Sequence, residues 1–172
     1  ITGWSNIIGS SKEFRSDVKV FSEGNIGSLR IKNRLVRAAA LERASSNGSP
    51  IDVYLKMYES YTSGGAGLII TGAMAPISSG MTTQIHVFDD SHIPELEKIV
   101  KVVKSVDDTC KIMAQVVVFG SGFGPSDINW TGKEPLNILT VEQINDIVSS
   151  LAESIRRIKE TGFDGAELNA HY

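Results

Sequence analysis

Cysteine is nearly absent from this sequence, which has 172 residues and one cysteine, Cys110. A single cysteine excludes a disulfide framework, a CxxC motif and a cysteine-based zinc site. The net charge of −3, with lysines and arginines interspersed among acids, disfavours nucleic-acid binding. No run approaches the roughly 20 apolar residues that span a bilayer, and residues 1–11 show no secretion signal. We therefore expect a cytoplasmic protein that binds neither nucleic acid nor membranes.

Several catalytic signatures are absent as well. The sequence contains no GxSxG or HExxH motif, and Cys110 has no evident base to pair with. The glycine-rich run 120–124 follows a strand-like segment, but Pro125 and a polar segment stand where a dinucleotide fingerprint needs a helix. We interpret this run as a flexible loop, and we expect no metal site.

What the sequence does contain is an alternation of strand and helix patterns. Buried strands are predicted at 35–41, 67–71, 111–118 and 164–171. Repeated strand–helix order is typical of a TIM (β/α)8 barrel, which needs about 250 residues and rarely fewer than about 200. The predicted fold class is therefore α/β. We expect residues 1–172 to form the amino-terminal half of one such barrel domain, with about the first four β/α units.

Two further segments have distinctive compositions. Segments 18–21 and 29–32 flank a turn-rich stretch at 23–27, which predicts an N-terminal β-hairpin that closes the bottom of the barrel. Residues 119–139 form a predicted loop rich in Gly, Pro, Ser and Asn that leaves the end of a strand. Because loops beyond about 12 to 15 residues in a compact fold are usually functional, this length indicates a functional loop.

Capping residues and apolar periodicity define the predicted helices. Ser91 is predicted to cap the second helix, with Pro94 in its first turn. Thr140 and Gln143 form a capping-box pattern for a third helix that extends to Glu160. The predicted apolar stripe of the first helix is Val53, Leu55, Met57, Tyr58 and Tyr61. That of the third helix is Ile144, Ile147, Val148, Leu151, Ile155 and Ile158.

The ends of parallel barrel strands converge on one face, where barrel enzymes place their catalytic groups. Four segments reach that face in this prediction: 38–43, 71–75, 115–120 and 169–172. The first two are rich in alanine and glycine, and small residues leave room for a flat ligand. We interpret Glu42 and Arg43 as a solvated or structural pair and not as an acid and a base.

The polar side chains at these strand ends have alternative interpretations. Gln115 is either a satisfied core residue or a donor and acceptor for the edge of a heterocycle such as a flavin. Asn169 and His171 are two residues apart and share one strand face. Either can donate to a substrate carbonyl oxygen, although His171 fits a lone core or rim histidine equally well. Glu167 is interpreted as a charge partner of a helix.

Six motifs, in order along residues 18–172, resemble the amino-terminal half of the Old Yellow Enzyme family. They are IKNRLVR at 31–37, GGAGLIIT at 64–71, KIMAQ at 111–115, PS at 125–126, LTVEQI at 139–144 and TGFDGAEL at 161–168. The resemblance implies an FMN-containing barrel that takes a hydride from NAD(P)H onto the flavin. It also implies a small-molecule substrate, an alkene conjugated to a carbonyl, that receives this hydride.

The same resemblance implies roles for individual residues. The implied flavin-contacting positions are Ala39, Ala40, Leu41, Ala73 and Gln115. Asn169 falls where the family has its first substrate-binding His, and Tyr172 falls where a His or Asn is expected. A shifted register would give His171 a ligand role, so the implied catalytic set is Asn169, His171 and Tyr172.

Several positions depart from the family pattern. Leu41 stands where the family often has a Thr or Cys that tunes the flavin, and Val118 and Ser121 replace a common His and Arg. In the family, the proton donor and the residues that hold the FMN phosphate correspond to positions beyond Tyr172. Because charge-assisted phosphate bonds contribute about 1.5–3 kcal/mol each, we expect this chain to bind FMN weakly.

Two other functions remain open from the sequence. The first is a non-catalytic half-barrel whose first and fourth strands pair with another copy, as a homo-oligomer, or with another chain. The second is a different phosphate-ligand barrel enzyme such as an aldolase-like lyase, although no strand-end lysine supports a Schiff base.

Overall fold

The computed structural model describes residues 18–78, 83–118, 122–128 and 135–170. Its strands are β1 (Gly24–Ile26), β2 (Leu29–Ile31), β3 (Val36–Arg37), β4 (Ser45–Ser46), β5 (Ser49–Pro50), β6 (Leu68–Ala75), β7 (Ile85–His86), β8 (Lys111–Val116), β9 (Phe123–Gly124), β10 (Asn137–Ile138) and β11 (Gly165–Leu168). Its helices are α1 (Asp52–Ser63), α2 (Ile93–Val106) and α3 (Val141–Glu160), with 3-10 turns at Lys19–Phe21 and Asp90–His92.

The main sheet is parallel and has the order β11–β8–β6–β3. One helix connects each consecutive pair of these strands: α1 lies between β3 and β6, α2 between β6 and β8, and α3 between β8 and β11. A parallel sheet with helical crossovers in strict alternation is the architecture of a (β/α) barrel. The predicted fold class, a partial barrel of four β/α units, is confirmed.

The helices pack on one face of this sheet through an apolar core. Strands contribute Ile69, Met74, Ile112, Ala114 and Val116, and helices contribute Tyr54, Tyr58, Leu96, Ile99, Val103 and Ile158. Each fully buried aliphatic side chain stabilises the fold by about 1.5–3 kcal/mol. Since side chains alternate along a strand, the neighbours of these core residues face the opposite side, which is the interior of the barrel.

The first strand is shorter than predicted, because segment 38–41 leaves the sheet and only Val36 and Arg37 pair with β6. Strand β7 then pairs with Met74 and Ala75, further along β6. The second strand is longer than predicted and ends at Ala75. Segment 38–41 is therefore irregular at the carboxyl edge of the sheet.

The hairpin exists, but its first strand was wrongly placed. Residues 19–21 form a 3-10 turn, and β1 pairs antiparallel with β2 through a turn at Gly27, whose φ is +58°. Lys32 forms an ion pair with Asp107, and Asn33 Nδ2 donates to Gly65 O at 2.8 Å. Because Asp107 and Gly65 precede β8 and β6, the segment after the hairpin lies at the amino-terminal edge, the bottom of the barrel.

The capping prediction is confirmed for α3 and wrong for α2. Thr140 Oγ1 accepts from Gln143 N at 3.2 Å, and Gln143 Oε1 accepts from Thr140 N at 2.9 Å, which completes the capping box. Ser91 is not an N-cap, since its N–H donates to the Asp89 carboxylate at 2.8 Å, at the head of the 3-10 turn that precedes α2. Pro94 does lie in the first turn of α2.

The predicted apolar stripes are partly wrong. In α1 the buried residues are Tyr54, Tyr58 and Thr62, whereas Val53 is 56% exposed. In the amino-terminal half of α3, Ile144 is 36% exposed and Val148 is 57% exposed. Only the carboxyl-terminal turns of α3 reach the core, where the buried residues are Ser154, Arg157 and Ile158.

Candidate active site

The predicted site residues lie at the carboxyl ends of the parallel strands, as expected. Ala39, Ala40 and Leu41 follow β3, Ala73 lies in β6, Gln115 in β8, and Asn169 directly after β11. His171 and Tyr172 lie outside the described residues, as does Ser121. The strand register, which no sequence pattern reveals, decides which of the others are neighbours.

A β-bulge in β6 brings Ala73 beside Gln115. Ile70 pairs with Met113 and Ala73 pairs with Gln115, so two residues of β6, Thr71 and Gly72, stand opposite one residue of β8. The extra residue reverses which face each later side chain of β6 occupies. Without it, Gly72 would pair with Gln115 and Ala73 would face the helices.

The bulge is held by side chains that replace the lost ladder bonds. Thr71 Oγ1 accepts from Gln115 N at 3.1 Å and donates to Gly72 O at 2.9 Å. Gly72 N donates to Glu42 Oε1 and to Tyr58 Oη, both at 3.3 Å. Thr71 is fully buried, so these bonds satisfy backbone groups that water cannot reach.

Glu42 is the centre of a buried polar cluster behind the strand ends. Its side chain is 2% exposed and forms an ion pair with Arg37 at 2.5 Å. Tyr58 Oη donates to Glu42 Oε1 at 2.8 Å, and Tyr54 Oη donates to Tyr58 Oη at 3.0 Å. Burial is the main reason that the pKa values of both tyrosines lie far above their usual range, so both hydroxyls are neutral donors.

The interpretation of Glu42 and Arg43 as a pair was therefore wrong. Glu42 pairs with Arg37, whereas Arg43 is exposed and has a φ of +52°. Arg37 also donates to Ile70 O at 2.7 Å and to Ala40 O at 3.1 Å. This ion pair thus ties the segment after β3 to β6. A sequence signal existed in the spacing of Tyr54 and Tyr58, which places both hydroxyls on one helix face.

Gln115 and Glu167 form a second polar contact at the strand ends. They are register partners on β8 and β11, and Gln115 Nε2 donates to Glu167 Oε1 at 2.6 Å. The interpretation of Glu167 as a charge partner of a helix was wrong, because register places it opposite Gln115, on the face away from the helices. Gln115 is 9% exposed. Ala73, Gln115 and Glu167 therefore form one row across three adjacent strands.

Asn169 extends this arrangement. Its N–H donates to Val116 O at 3.0 Å, which continues the pairing of β11 with β8 by one residue. Asn169 stands two positions after Glu167, so extended backbone places both on the interior face of the sheet. Sequence parity alone left this face undecided.

The long loop after β8 is described only in part. Phe123 and Gly124 pair in parallel with Asn137 and Ile138, while 119–121 and 129–134 lie outside the described residues. Within the described ranges, no helix is long and apolar enough to cross a membrane. The same ranges contain no group of three His, Cys, Asp or Glu side chains that could hold a metal ion.

Known proteins share both the sequence pattern and the fold. A metal reductase of Desulforamulus reducens is 32% identical over 166 residues, which cover 88% of this chain and 24% of the relative. An NADPH dehydrogenase of Listeria monocytogenes is 28% identical over 162 residues, or 88% of this chain and 48% of the relative. The chain thus spans about a quarter of the length of the first relative and about half of the second.

Solved structures show the same fold. The Old Yellow Enzyme from Pichia sp. AKU4542 superposes with a TM-score of 0.79 at 20% identity, over 89% of this chain and 46% of that one. Morphinone reductase gives a TM-score of 0.73 at 20% identity, over 87% and 47%. The sequence profile of the NADH:flavin oxidoreductase / NADH oxidase family matches residues 19–171. The chain therefore belongs to the NADH:flavin oxidoreductase / NADH oxidase family.

Proposed function

We propose that this chain is the amino-terminal half of an FMN-dependent oxidoreductase barrel. The whole enzyme transfers a hydride from NAD(P)H through the flavin to an alkene conjugated to a carbonyl. The observation that carries the proposal is the row of Ala73 and Gln115 at the carboxyl ends of adjacent parallel strands. A small side chain beside a buried amide offers a flat heterocycle both a surface and a polar edge.

The residues present fit the isoalloxazine ring of FMN. Ala73 supplies a surface without bulk, and the Gln115 amide supplies hydrogen-bonding atoms for the pyrimidine edge. Ala39 and Leu41 are partly exposed and Ala40 is exposed. All three follow β3 at the same edge of the sheet and border the ring in this proposal. When bound, FMN supplies the chemistry of accepting a hydride from the nicotinamide and delivering it to the alkene.

Asn169 is assigned to the substrate in this proposal. Its main chain is fixed by the bond to Val116 O, and its carboxamide can donate to the substrate carbonyl oxygen. Such a donor stabilises the negative charge that develops on that oxygen when the conjugated alkene is reduced. His171 and Tyr172, which follow Asn169 in sequence, complete the proposed substrate-facing set.

Exposed apolar side chains support the half-barrel part of the proposal. Leu168 of β11 is 58% exposed, and Val141 and Val148 of α3 are 75% and 57% exposed. In the described sheet β11 and β3 are the terminal strands. Further β/α units of a closed barrel would cover these groups and pair both edges.

The test uses protein made from the complete reading frame that encodes this chain. We expect purified protein to retain FMN with its flavin absorbance, and to oxidise NADPH or NADH when cyclohexenone is added as a conjugated alkene. The Ala73→Trp variant should lose the flavin, whereas Ala152→Trp, on the exposed face of α3, should retain it. A wild-type protein without bound flavin under FMN saturation would refute the proposal.

A non-catalytic, self-associating half-barrel is the second candidate, favoured by the two terminal strands of the described sheet. In this case the 172-residue chain should form dimers or larger assemblies through β3 or β11. Light scattering after size-exclusion chromatography measures the mass. A folded, strictly monomeric chain contradicts this candidate.

A further inference from the structure

We propose that Glu167 is a positioning residue that fixes the orientation of the Gln115 amide, so that the cofactor site presents a hydrogen-bond acceptor to the imide N3–H of the flavin. The inference rests on the proposed function, since it concerns the FMN site. It goes further by assigning a positioning role to Glu167.

A carboxamide alone does not have a fixed polarity. Its oxygen and nitrogen have nearly the same shape, so a Gln side chain can turn through a half rotation and exchange an acceptor for a donor. An ionised carboxylate, by contrast, only accepts hydrogen bonds. The partner of Glu167 must therefore be the nitrogen of Gln115, and this nitrogen lies 2.6 Å from Glu167 Oε1.

Two features of the sheet hold the contact between Gln115 and Glu167 in place. Gln115 and Glu167 are direct register partners on adjacent strands, so the sheet itself sets the distance between their backbones. The backbone N–H of Gln115 is also held, by Thr71 Oγ1 at 3.1 Å. A charge-assisted hydrogen bond is roughly twice as strong as a neutral one, and this difference favours one amide orientation.

The orientation has a chemical consequence for the ligand. Because the Gln115 Nε2 donates to Glu167, the Gln115 Oε1 lies on the side of the amide away from Glu167. The pyrimidine edge of a flavin carries one donor, the imide N3–H, between two carbonyl acceptors. An amide locked with Oε1 outward matches this donor, and an amide turned the other way would place N–H against N–H.

The probe is a pair of flavins, FMN and N3-methyl-FMN, which differ only at N3, where a methyl group replaces the imide hydrogen. Both affinities are measured by flavin fluorescence on apoprotein made from the complete reading frame. We expect wild-type protein to bind FMN about tenfold more tightly than the methylated flavin, which corresponds to one hydrogen bond. In Glu167→Gln the partner can donate as well as accept, so the Gln115 amide can turn and the preference should fall toward unity.

Two further variants separate positioning from a general structural effect. Gln115→Ala should abolish the preference, and adding Glu167→Gln to it should change the preference no further. Glu97→Gln, an exposed glutamate of α2, should keep the wild-type preference. A structural role for Glu167 would instead weaken both flavins equally.

The binding results separate the role of Glu167 from the presence of a flavin site. If wild-type protein binds neither flavin, the proposed function fails and this inference fails with it. If it binds FMN but shows no preference over N3-methyl-FMN, or if Glu167→Gln retains the full preference, the inference is overturned and the proposed function stands. A preference that falls in Glu167→Gln and in Gln115→Ala alike supports the inference.

Discussion

The carboxylate of Glu42 occupies the space beside Gly72 that a β-carbon would need. A Cβ built on Gly72 would lie 2.0 Å from Glu42 Oε2 and 2.6 Å from Ala40 O. Gly72 is also the bulge residue whose N–H donates to Glu42. The placement of Ala73 beside Gln115 therefore depends on a glycine and a buried glutamate that are 30 residues apart.

Gly72→Ala should be strongly destabilising. The methyl group meets a buried carboxylate and a backbone carbonyl, neither of which can move freely, and such overpacking costs about 1–3 kcal/mol. Urea denaturation measures the loss. Gly165→Ala in β11 is the matched control, because its Cβ meets only the flexible end of Met113, at 3.1 Å. Equal losses in the two variants would show that Glu42 does not fill this space.

Glu42→Gln should lower the free energy of unfolding more than the loss of any exposed ion pair in the described fold. It leaves Arg37 without its charge partner, and breaking a buried pair on one side costs about 3–5 kcal/mol. The comparison is Glu23→Gln, because Glu23 pairs with Arg30 on the surface and such pairs contribute about 0–1 kcal/mol. Denaturation midpoints of both variants at neutral pH give the difference. A loss as small as that of Glu23→Gln would contradict the buried cluster.

Thr71→Val should destabilise the bulge without changing its volume. It removes the acceptor of Gln115 N–H in a fully buried setting, and an unsatisfied buried donor costs about 1–3 kcal/mol. Thr62→Val is the control, since its buried hydroxyl donates to the helical carbonyl of Tyr58 and contacts the Cys110 thiol, and it accepts no backbone N–H of β8. Hydrogen exchange measured by mass spectrometry should show faster exchange in β8 for Thr71→Val only. Unchanged protection of β8 would show that Thr71 does not support the ladder there.

The ion pair of Lys32 with Asp107 should make stability depend on acid pH. Burial raises the pKa of Asp107, but hydrogen bonds from Lys32 and Thr109 outweigh it and lower the pKa to about 2. A carboxyl whose folded pKa is depressed stabilises the fold above its unfolded pKa of about 3.9, and the contribution disappears as pH falls toward 2. Asp107→Asn should therefore be less stable than wild type at pH 6 and nearly equal to it near pH 2. A difference that stays constant across this range would contradict the assignment.

Much of the fold was predictable because its signals are local. The helix at 52–63 follows from apolar spacing and its Gly64–Gly65 end, and α3 follows from the Thr140–Gln143 capping box. The strand β8 is a short, apolar run that ends before a polar loop. Such patterns report the state of a few consecutive residues, which is what propensity and periodicity measure.

The candidate site was predictable only as a set of positions. The sequence predicted that Ala73, Gln115 and Asn169 lie at strand ends. It also predicted, wrongly, that Glu42 pairs with Arg43 and that Glu167 is a charge partner of a helix. Both errors concern partners that are distant in sequence: Glu42 reaches Gly72, and Glu167 reaches Gln115 across 52 residues. No short pattern carries the strand register that creates these contacts.

The amino-acid sequence by itself determined the class of the fold, the order of its strands and helices and the chemistry available at the strand ends. The tertiary structure decided which of those groups touch. One added residue in β6 reverses the side-chain faces after Gly72 and brings Ala73 opposite Gln115. The physical reason is that a β-bulge is defined by the pairing of two strands, which becomes visible only when both are in the sheet.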